Sequence, residues 1–430
     1  MAAFVRRHLP TGLVIALVGA AAAAGAGPAA AVVQPATVKP AIASGRLHMC
    51  ALRSAGTVVC WGDNSYGELG DNTIKQSPVP VQVHGPKNKG VLKGVTALTA
   101  GNGFTCALLA TKQVDCWGYG GDGELGSGST ARSLVPAPVH GAGNKGLLSG
   151  VLAISVANSF SCALLANKTV DCWGGNDSGQ LGIHSNARIL VPVAVHGVGN
   201  SGLLKGVAAI AAGSSKSPCA LLATKTVVCW GANLHGVLGN NSTTASSVPV
   251  KVRGVAGAGF LSGVKAISGG SIDTACALMV DGTVDCWGYL ASVGVNQSPG
   301  DTLTPLKVHG VGDAGFLGGV TAIADHSDTP CALLSTARVV CWGEGVFRLG
   351  NNSAGAGVVP VEVHSIDEPG ILTGVSAISE AEVATCALLA TKAVNCWGDN
   401  GNGELGNGTV DNSGRPVQVV GVNGVGFLSL

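Results

Sequence analysis

The sequence predicts an all-β fold, a seven-bladed β-propeller closed by the joining of its amino- and carboxy-terminal strands. Three observations carry this expectation. The stretch CALLATKQVDCWG, Cys106 to Gly118, is restated seven times; each copy has the two-run pattern of a β-hairpin; and the repeat starts and stops out of phase with the chain. The copies hold all 14 cysteines and all 7 tryptophans, and Trp61, Trp117, Trp173, Trp230, Trp287, Trp342 and Trp397 follow one another at steps of 56, 56, 57, 57, 55 and 55 residues. So regular a period marks an array of structural units.

Each copy joins a short apolar run to a second run rich in Val and Thr through a turn-prone middle, which reads as two strands with a tight connection. The two cysteines of a copy lie ten apart, an even separation, so a hairpin symmetric about its turn sets them directly opposite each other. Opposed residues at a non-hydrogen-bonded site have Cα atoms about 4.5 Å apart, within reach of a disulfide. The expected pairs are Cys50–Cys60, Cys106–Cys116, Cys162–Cys172, Cys219–Cys229, Cys276–Cys286, Cys331–Cys341 and Cys386–Cys396. Two other readings stay open, small reduced core residues and zinc ligands, although CxxC spacing is missing. The repeated tryptophan suits the contact between neighbouring units; stacking on a ligand is its alternative.

In chain order, residues 1–31 read as an export signal, with Arg6 and Arg7 ahead of the apolar run Leu13 to Ala24 and Ala29, Ala30 and Ala31 as the cleavage region. A retained membrane anchor is the competing reading, interrupted by Pro28 and several glycines. Export places the chain outside the cell, where paired cysteines persist. Residues 32–41 form a lead-in, and residues 42–430 form the propeller. One repeat divides into four strands, Val95 to Ala100, Phe104 to Leu109, Gln113 to Trp117 and Leu134 to His140. The element GVTALTAG at Gly94 precedes each hairpin but the first, and the chain stops at GFLSL where another would follow. The amino terminus therefore supplies what the last unit lacks, which favours a closed ring over an open solenoid.

Charged residues make up only 11% of the chain, with a formal net charge of +1, against about 25% charged residues in typical soluble domains. The sequence shows no basic patch and no interleaving of aromatic and basic residues, so nucleic acid and, after signal cleavage, membrane are not expected partners. His84, His140, His196, His309 and His364 occupy one position of five repeats, but equivalent positions on different blades lie too far apart for shared metal bonds, and solvated strand ends are expected. The loop Asp399, Asn400, Asn402, Glu404 suggests calcium only superficially, its oxygens lacking EF-hand spacing. GxSxG, P-loop and zinc-protease motifs are missing, and the uniform spacing leaves no room for an inserted lid. The expectation is a monomer that is no enzyme and needs no metal or cofactor.

The segments CWGDNSYGELGDNT from Cys60, CWGYGGDGELGSGST from Cys116, CWGGNDSGQLG from Cys172 and CWGDNGNGELGNGT from Cys396 resemble the regulator of chromosome condensation repeat family over all seven repeats. The resemblance implies a seven-bladed propeller acting as a protein-interaction platform. Its exchange factor works on guanine nucleotides through an inserted wedge, for which this chain has no room, and its secreted relatives that inhibit β-lactamase are the nearer analogy. Among departures, the family's histidine two residues before the cysteine position survives only at His48, and its Asp-Gly turn only at Asp281 and Gly282. The fifth and sixth loops, WGYLASVGVNQSPG from Trp287 and WGEGVFRLGNN from Trp342, lose the common pattern and gain apolar and aromatic groups of the type found at exposed tips. Tyr289, Leu290, Val293, Val346, Phe347 and Arg348 are therefore candidates for a recognition edge. The expected function is a secreted, non-catalytic scaffold for an unknown protein or surface polymer. Exchange-factor-like activity and enzyme inhibition are the alternatives.

Overall fold

A computed structural model describes residue 39 and residues 41–430, except residues 214–215, 270–273, 290–292, 297–299, 326–328, 354 and 368. The expected export signal lies outside the described residues. Seven four-stranded antiparallel sheets follow one another along the chain, over residues 41–82, 95–138, 151–194, 207–251, 264–307, 320–362 and 375–418, here blades 1 to 7. In blade 2 the strands are Val95–Ala100, Phe104–Leu109, Val114–Gly118 and Ser133–Pro138. The inner strands line an axial channel of about 220 Å³ through one aliphatic side chain per blade, Ile42, Leu98, Ile154, Ile210, Ile267, Ile323 and Ile378.

In every hairpin the two cysteines are register partners, Cys106 against Cys116 for example. All seven expected disulfides are formed, each with a Cα–Cα distance of 4.1 Å. The even ten-residue spacing thus does what hairpin symmetry requires of it.

The core lies between the blades. Strand alternation sends the disulfide of one blade toward one neighbour and the tryptophan toward the other. Cys50, Leu52, Val58 and Cys60 of blade 1 pack against Ala107 and Trp117 of blade 2, and Cys386, Leu388, Val394 and Cys396 of blade 7 pack against Met49, Val59 and Trp61 of blade 1. All seven tryptophans are buried. A buried indole needs an acceptor for its N–H, and the preceding blade provides it. Trp117 Nε1 donates to the Glu68 carbonyl at 2.8 Å, Trp173 to Glu124 at 2.8 Å, Trp230 to Gln180 at 2.9 Å, Trp287 to Val237 at 2.7 Å and Trp397 to Arg348 at 2.8 Å.

Ring closure uses the same joint, Trp61 donating to the Glu404 carbonyl at 2.8 Å across 343 residues. Here the structure refines the expectation from repeat phase. Each sheet consists of four consecutive strands, blade 1 starting with Ala41–Ser44 and blade 7 ending with Ser413–Gln418. The chain ends meet as neighbouring blades packed face to face, and the first strands do not complete the last sheet. The missing inner strand of the phase argument is that of blade 1 itself.

The meander gives the propeller two unlike ends. Hairpin turns share one end with the blade-to-blade connections, as the bonds Val95 N to Gly56 O and Ala110 N to Gly94 O record. This is the turn face. The loops from inner to second strand and from third to outer strand share the opposite end, the loop face.

Candidate functional site on the loop face

The loop after each tryptophan is built by a few side chains. In blades 1, 3, 4 and 7 an asparagine (Asn64, Asn176, Asn233, Asn400) lies three residues past the tryptophan and is buried. The Asn176 amide donates to the carbonyls of Ser185 and Ala187 at 2.8 and 2.9 Å, while its oxygen accepts the Leu181 N–H at 2.8 Å. One side chain thereby closes a loop of a dozen residues without regular structure. Glu68, Glu124 and Glu404 fold back to accept the N–H two residues earlier, at 2.8, 2.8 and 2.9 Å. Burial raises the Glu68 carboxyl to about 7 and the Glu124 carboxyl to about 8. Gln180 makes the same bond in blade 3, to Ser178 N at 2.9 Å, with no charge to desolvate.

Over blades 1 to 4 these loops enclose a groove of about 760 Å³. Tyr66 and Tyr119 meet edge to face in it, ring centroids 4.9 Å apart, with Tyr66 exposed. Around them charges pair across blade boundaries: Arg46 with Glu382 at 3.0 Å, Lys216 with Asp177 at 2.5 Å and Arg188 with Asp122 at 3.7 Å. The Lys216 hydrogen bond holds the Asp177 carboxyl below its usual range. Paired charges and two amphipathic rings on a cross-linked scaffold are suited to recognising a surface.

The residues expected to form a recognition edge are not gathered into that groove. Tyr289, half-buried, stacks edge-on against His235 of blade 4 at 5.4 Å. Leu290 lies outside the described residues. Val293 was expected at an exposed tip and is instead fully buried. It precedes Gly294 as Leu69 precedes Gly70, so it fills the core position that leucine holds in the other loops, and among the described residues of the apolar set only Val346 is plainly exposed. Arg348 stands in the place of Glu68: its carbonyl accepts the Trp397 N–H and its guanidinium reaches Asp399 at 3.4 Å.

Phe347 shows why the sixth loop departs. It occupies the left-handed position, φ 67°, that Gly67, Gly123, Gly236 and Gly403 hold elsewhere. A Cβ on those glycines would collide with Leu134, Leu190, Leu303 and Pro78 of the next blade, whereas the residue facing Phe347 is Gly414. The large and small partners have been exchanged across the joint, and Phe347 fills space that leucine fills in other blades. It occupies a sparsely populated backbone region to do so.

Of the repeated histidines, His84, His140, His196 and His309 bond through Nδ1 to an oxygen of Asn88, Asn144, Asn200 and Asp313, four residues on, at 2.5 to 2.6 Å. Among the described residues no three His, Cys, Asp or Glu side chains come together as a metal site. His48 is buried, with Nε2 on Thr105 Oγ1 at 2.8 Å, and burial lowers it to about 4. In the Asp399 loop the Asn402 amide donates to Glu404 at 2.8 Å and Asp399 faces Arg348, so these oxygens serve the loop itself.

The model of the regulator of chromosome condensation (RCC1) repeat matches residues 41–68, 95–124 and 151–180, and a second model of the same repeat matches residues 55–108. The chain carries RCC1 repeats. The human E3 ubiquitin-protein ligase HERC2 is 32% identical over 222 residues, 50% of this chain but 4% of that ligase, so the chain spans only a small part of that relative. The ultraviolet-B receptor UVR8 of Arabidopsis thaliana is 26% identical over 399 residues, 89% of this chain and 82% of the receptor. In fold, Prp20p of Saccharomyces cerevisiae superposes with a TM-score of 0.68 at 18% identity, over 90% of this chain and 89% of Prp20p. The tyrosine groove was missed in the sequence although a signal exists: two of its 3 tyrosines lie in the loops after the tryptophans of consecutive repeats.

Proposed function

We propose that this RCC1-repeat protein is a secreted, non-catalytic binding propeller whose loop face, centred on the Tyr66–Tyr119 groove, receives a protein partner. The groove carries the reading: it sets two aromatic rings among cross-blade ion pairs on a scaffold of seven disulfides. Tyrosine and arginine at such places are the residue types enriched in binding hot spots. Prp20p, on the same fold, binds Gsp1p and histones and has a structure with Kap60, which supports protein recognition as the class of activity. Seven disulfides are consistent with export, as is the amino-terminal sequence.

The test captures partners from culture supernatant and surface extracts with the whole chain as bait and measures affinity for each purified partner. Tyr66→Ala with Tyr119→Ala is expected to weaken binding by about tenfold or more, whereas Tyr289→Ala, on the fifth blade, serves as the comparison. Loss of affinity only in the Tyr289 variant would move the site to the divergent blades. Hydrolytic turnover, or accelerated nucleotide release from small GTPases, abolished by a single loop substitution would overturn the non-catalytic reading.

A further inference from the structure

Folding separates charges that the sequence mixes. On the turn face, six of the seven hairpin turns carry a basic residue, Arg53, Lys112, Lys168, Lys225, Arg338 and Lys392, and all but Arg53 are exposed. The connections add exposed Lys87, Lys89, Lys145 and Lys205 to the same end. Among the described residues the acids in its turns and connections are few, Asp281 in the fifth turn, Asp313 and Asp367, and Glu362 at a strand end already pairs with Arg338 at 3.1 Å. Asp63, Asp71, Asp122, Asp177 and Asp399 sit at the loop face. The small net charge of +1 for the whole chain thus conceals a predominantly basic turn face.

The basic end also carries a ring of exposed apolar side chains. In each blade-to-blade connection two apolar residues follow one another, and short antiparallel bridges such as His84 to Val91 and His309 to Phe316 fix which way each points. Leu92, Leu148, Leu204, Leu261, Leu317 and Leu428 turn into the core. Alternation therefore drives their predecessors outward. Phe260, Phe316 and Phe427 are 51%, 61% and 65% exposed, and exposed Val91, Leu147 and Leu203 complete the circuit with half-buried Ile371. Lysine ammonium groups lie beside the rings, Lys251 at 5.0 Å from Phe260 and Lys307 at 5.7 Å from Phe316.

We infer that the turn face docks peripherally on an anionic lipid surface. Separate apolar pegs set around a ring offer no continuous groove for a peptide, yet all of them can enter one broad, deformable interface together. Lysines beside apolar pegs match such an interface chemically, the rings entering the headgroup boundary and the ammonium groups meeting anionic headgroups. No basic patch is visible along the sequence; in the fold the hairpin-turn bases of six repeats come together at one end. Docked this way, the propeller presents its loop face outward, away from the surface.

The test is sedimentation of the full chain with vesicles of phosphatidylcholine alone or with one third phosphatidylglycerol, across a salt series. Binding is expected only to the anionic vesicles and is expected to weaken with salt. Phe260→Ser, Phe316→Ser and Phe427→Ser together are expected to lower partitioning by about tenfold or more, and a Phe316→Trp reporter is expected to shift its emission to the blue on vesicle addition. All variants share the same amino-terminal segment, so its own affinity cancels. Equal binding to neutral and anionic vesicles, or unchanged binding by the triple serine variant, overturns the inference. So does binding to double-stranded DNA as tight as to vesicles with no reporter shift, which would make the face a general polyanion site. If the serine variant melts early, Lys112→Glu with Lys168→Glu and Lys225→Glu decides instead: retained binding by that folded variant overturns the inference.

Discussion

Glu124→Gln tests the inter-blade joint through its charge. The Glu124 side chain is buried against the loop whose carbonyl receives Trp173, and desolvation lifts its carboxyl from an ordinary 4.5 to about 8. Asp122 nearby adds to the rise and Arg188 opposes it. A carboxyl raised on folding holds its proton more tightly in the folded chain than in the unfolded one, so stability is full below about pH 4.5 and declines as pH climbs toward 8. At one pKa unit per 1.36 kcal/mol, the loss by pH 8 is on the order of 4 kcal/mol. Gln180 shows that the amide fits this place in a native blade. Thermal melting of the parent and the Glu124→Gln chain between pH 4 and pH 9 should therefore show near-equal stability in acid and a gap favouring glutamine that widens toward pH 8. A gap independent of pH, or one that favours glutamate at pH 8, would refute the reasoning.

Trp61→Phe leaves the buried Glu404 carbonyl without its indole donor and should cost about 1–3 kcal/mol in urea unfolding, whereas Trp173→Phe should cost less because the Ser161 hydroxyl still donates to the Glu124 carbonyl at 2.9 Å. Gly406→Ala should destabilise through a different route, its φ of 61° and a Cβ only 2.7 Å from Trp61 Nε1 forcing the closing joint apart. Intact mass of the non-reduced protein should fall short of the reduced chain by two hydrogens for each of the seven bridges; free thiols in the native protein would contradict the pairing. Asn176→Ala should expose its loop to proteolysis and lower the melting temperature, since one amide holds two carbonyls and one N–H there.

Period and parity were enough to read the blades and disulfides from sequence. A ten-residue spacing within a symmetric hairpin admits few other geometries, and the strands of blade 2 fall within a residue or two of their expected limits. The recognition residues were harder, because a sequence does not show which of its apolar groups the next blade covers. Val293 looks like a surface residue until Gly294 is aligned with Gly70, and Phe347 looks like a bait residue until Gly414 is found opposite. The Tyr66–Tyr119 groove was illegible for the converse reason: its lining comes from loops of four blades, with Arg46, Tyr119, Asp177 and Lys216 separated along the chain and adjacent only around the ring.

The indole joints make the propeller a circle with no privileged first blade. Since the Trp61–Glu404 contact has the same form as the Trp117–Glu68 contact, cutting the chain at a hairpin turn and linking residues 430 and 41 would leave every blade with a complete neighbour on each side. Such a rearranged chain should fold to the same ring, whereas excision of one blade would bring together joints whose wedge angle no longer closes the circle. The unit on which selection acts for stability is then the joint, repeated around the ring, and a loop is free to change only to the extent that its blade still offers a carbonyl to the next tryptophan.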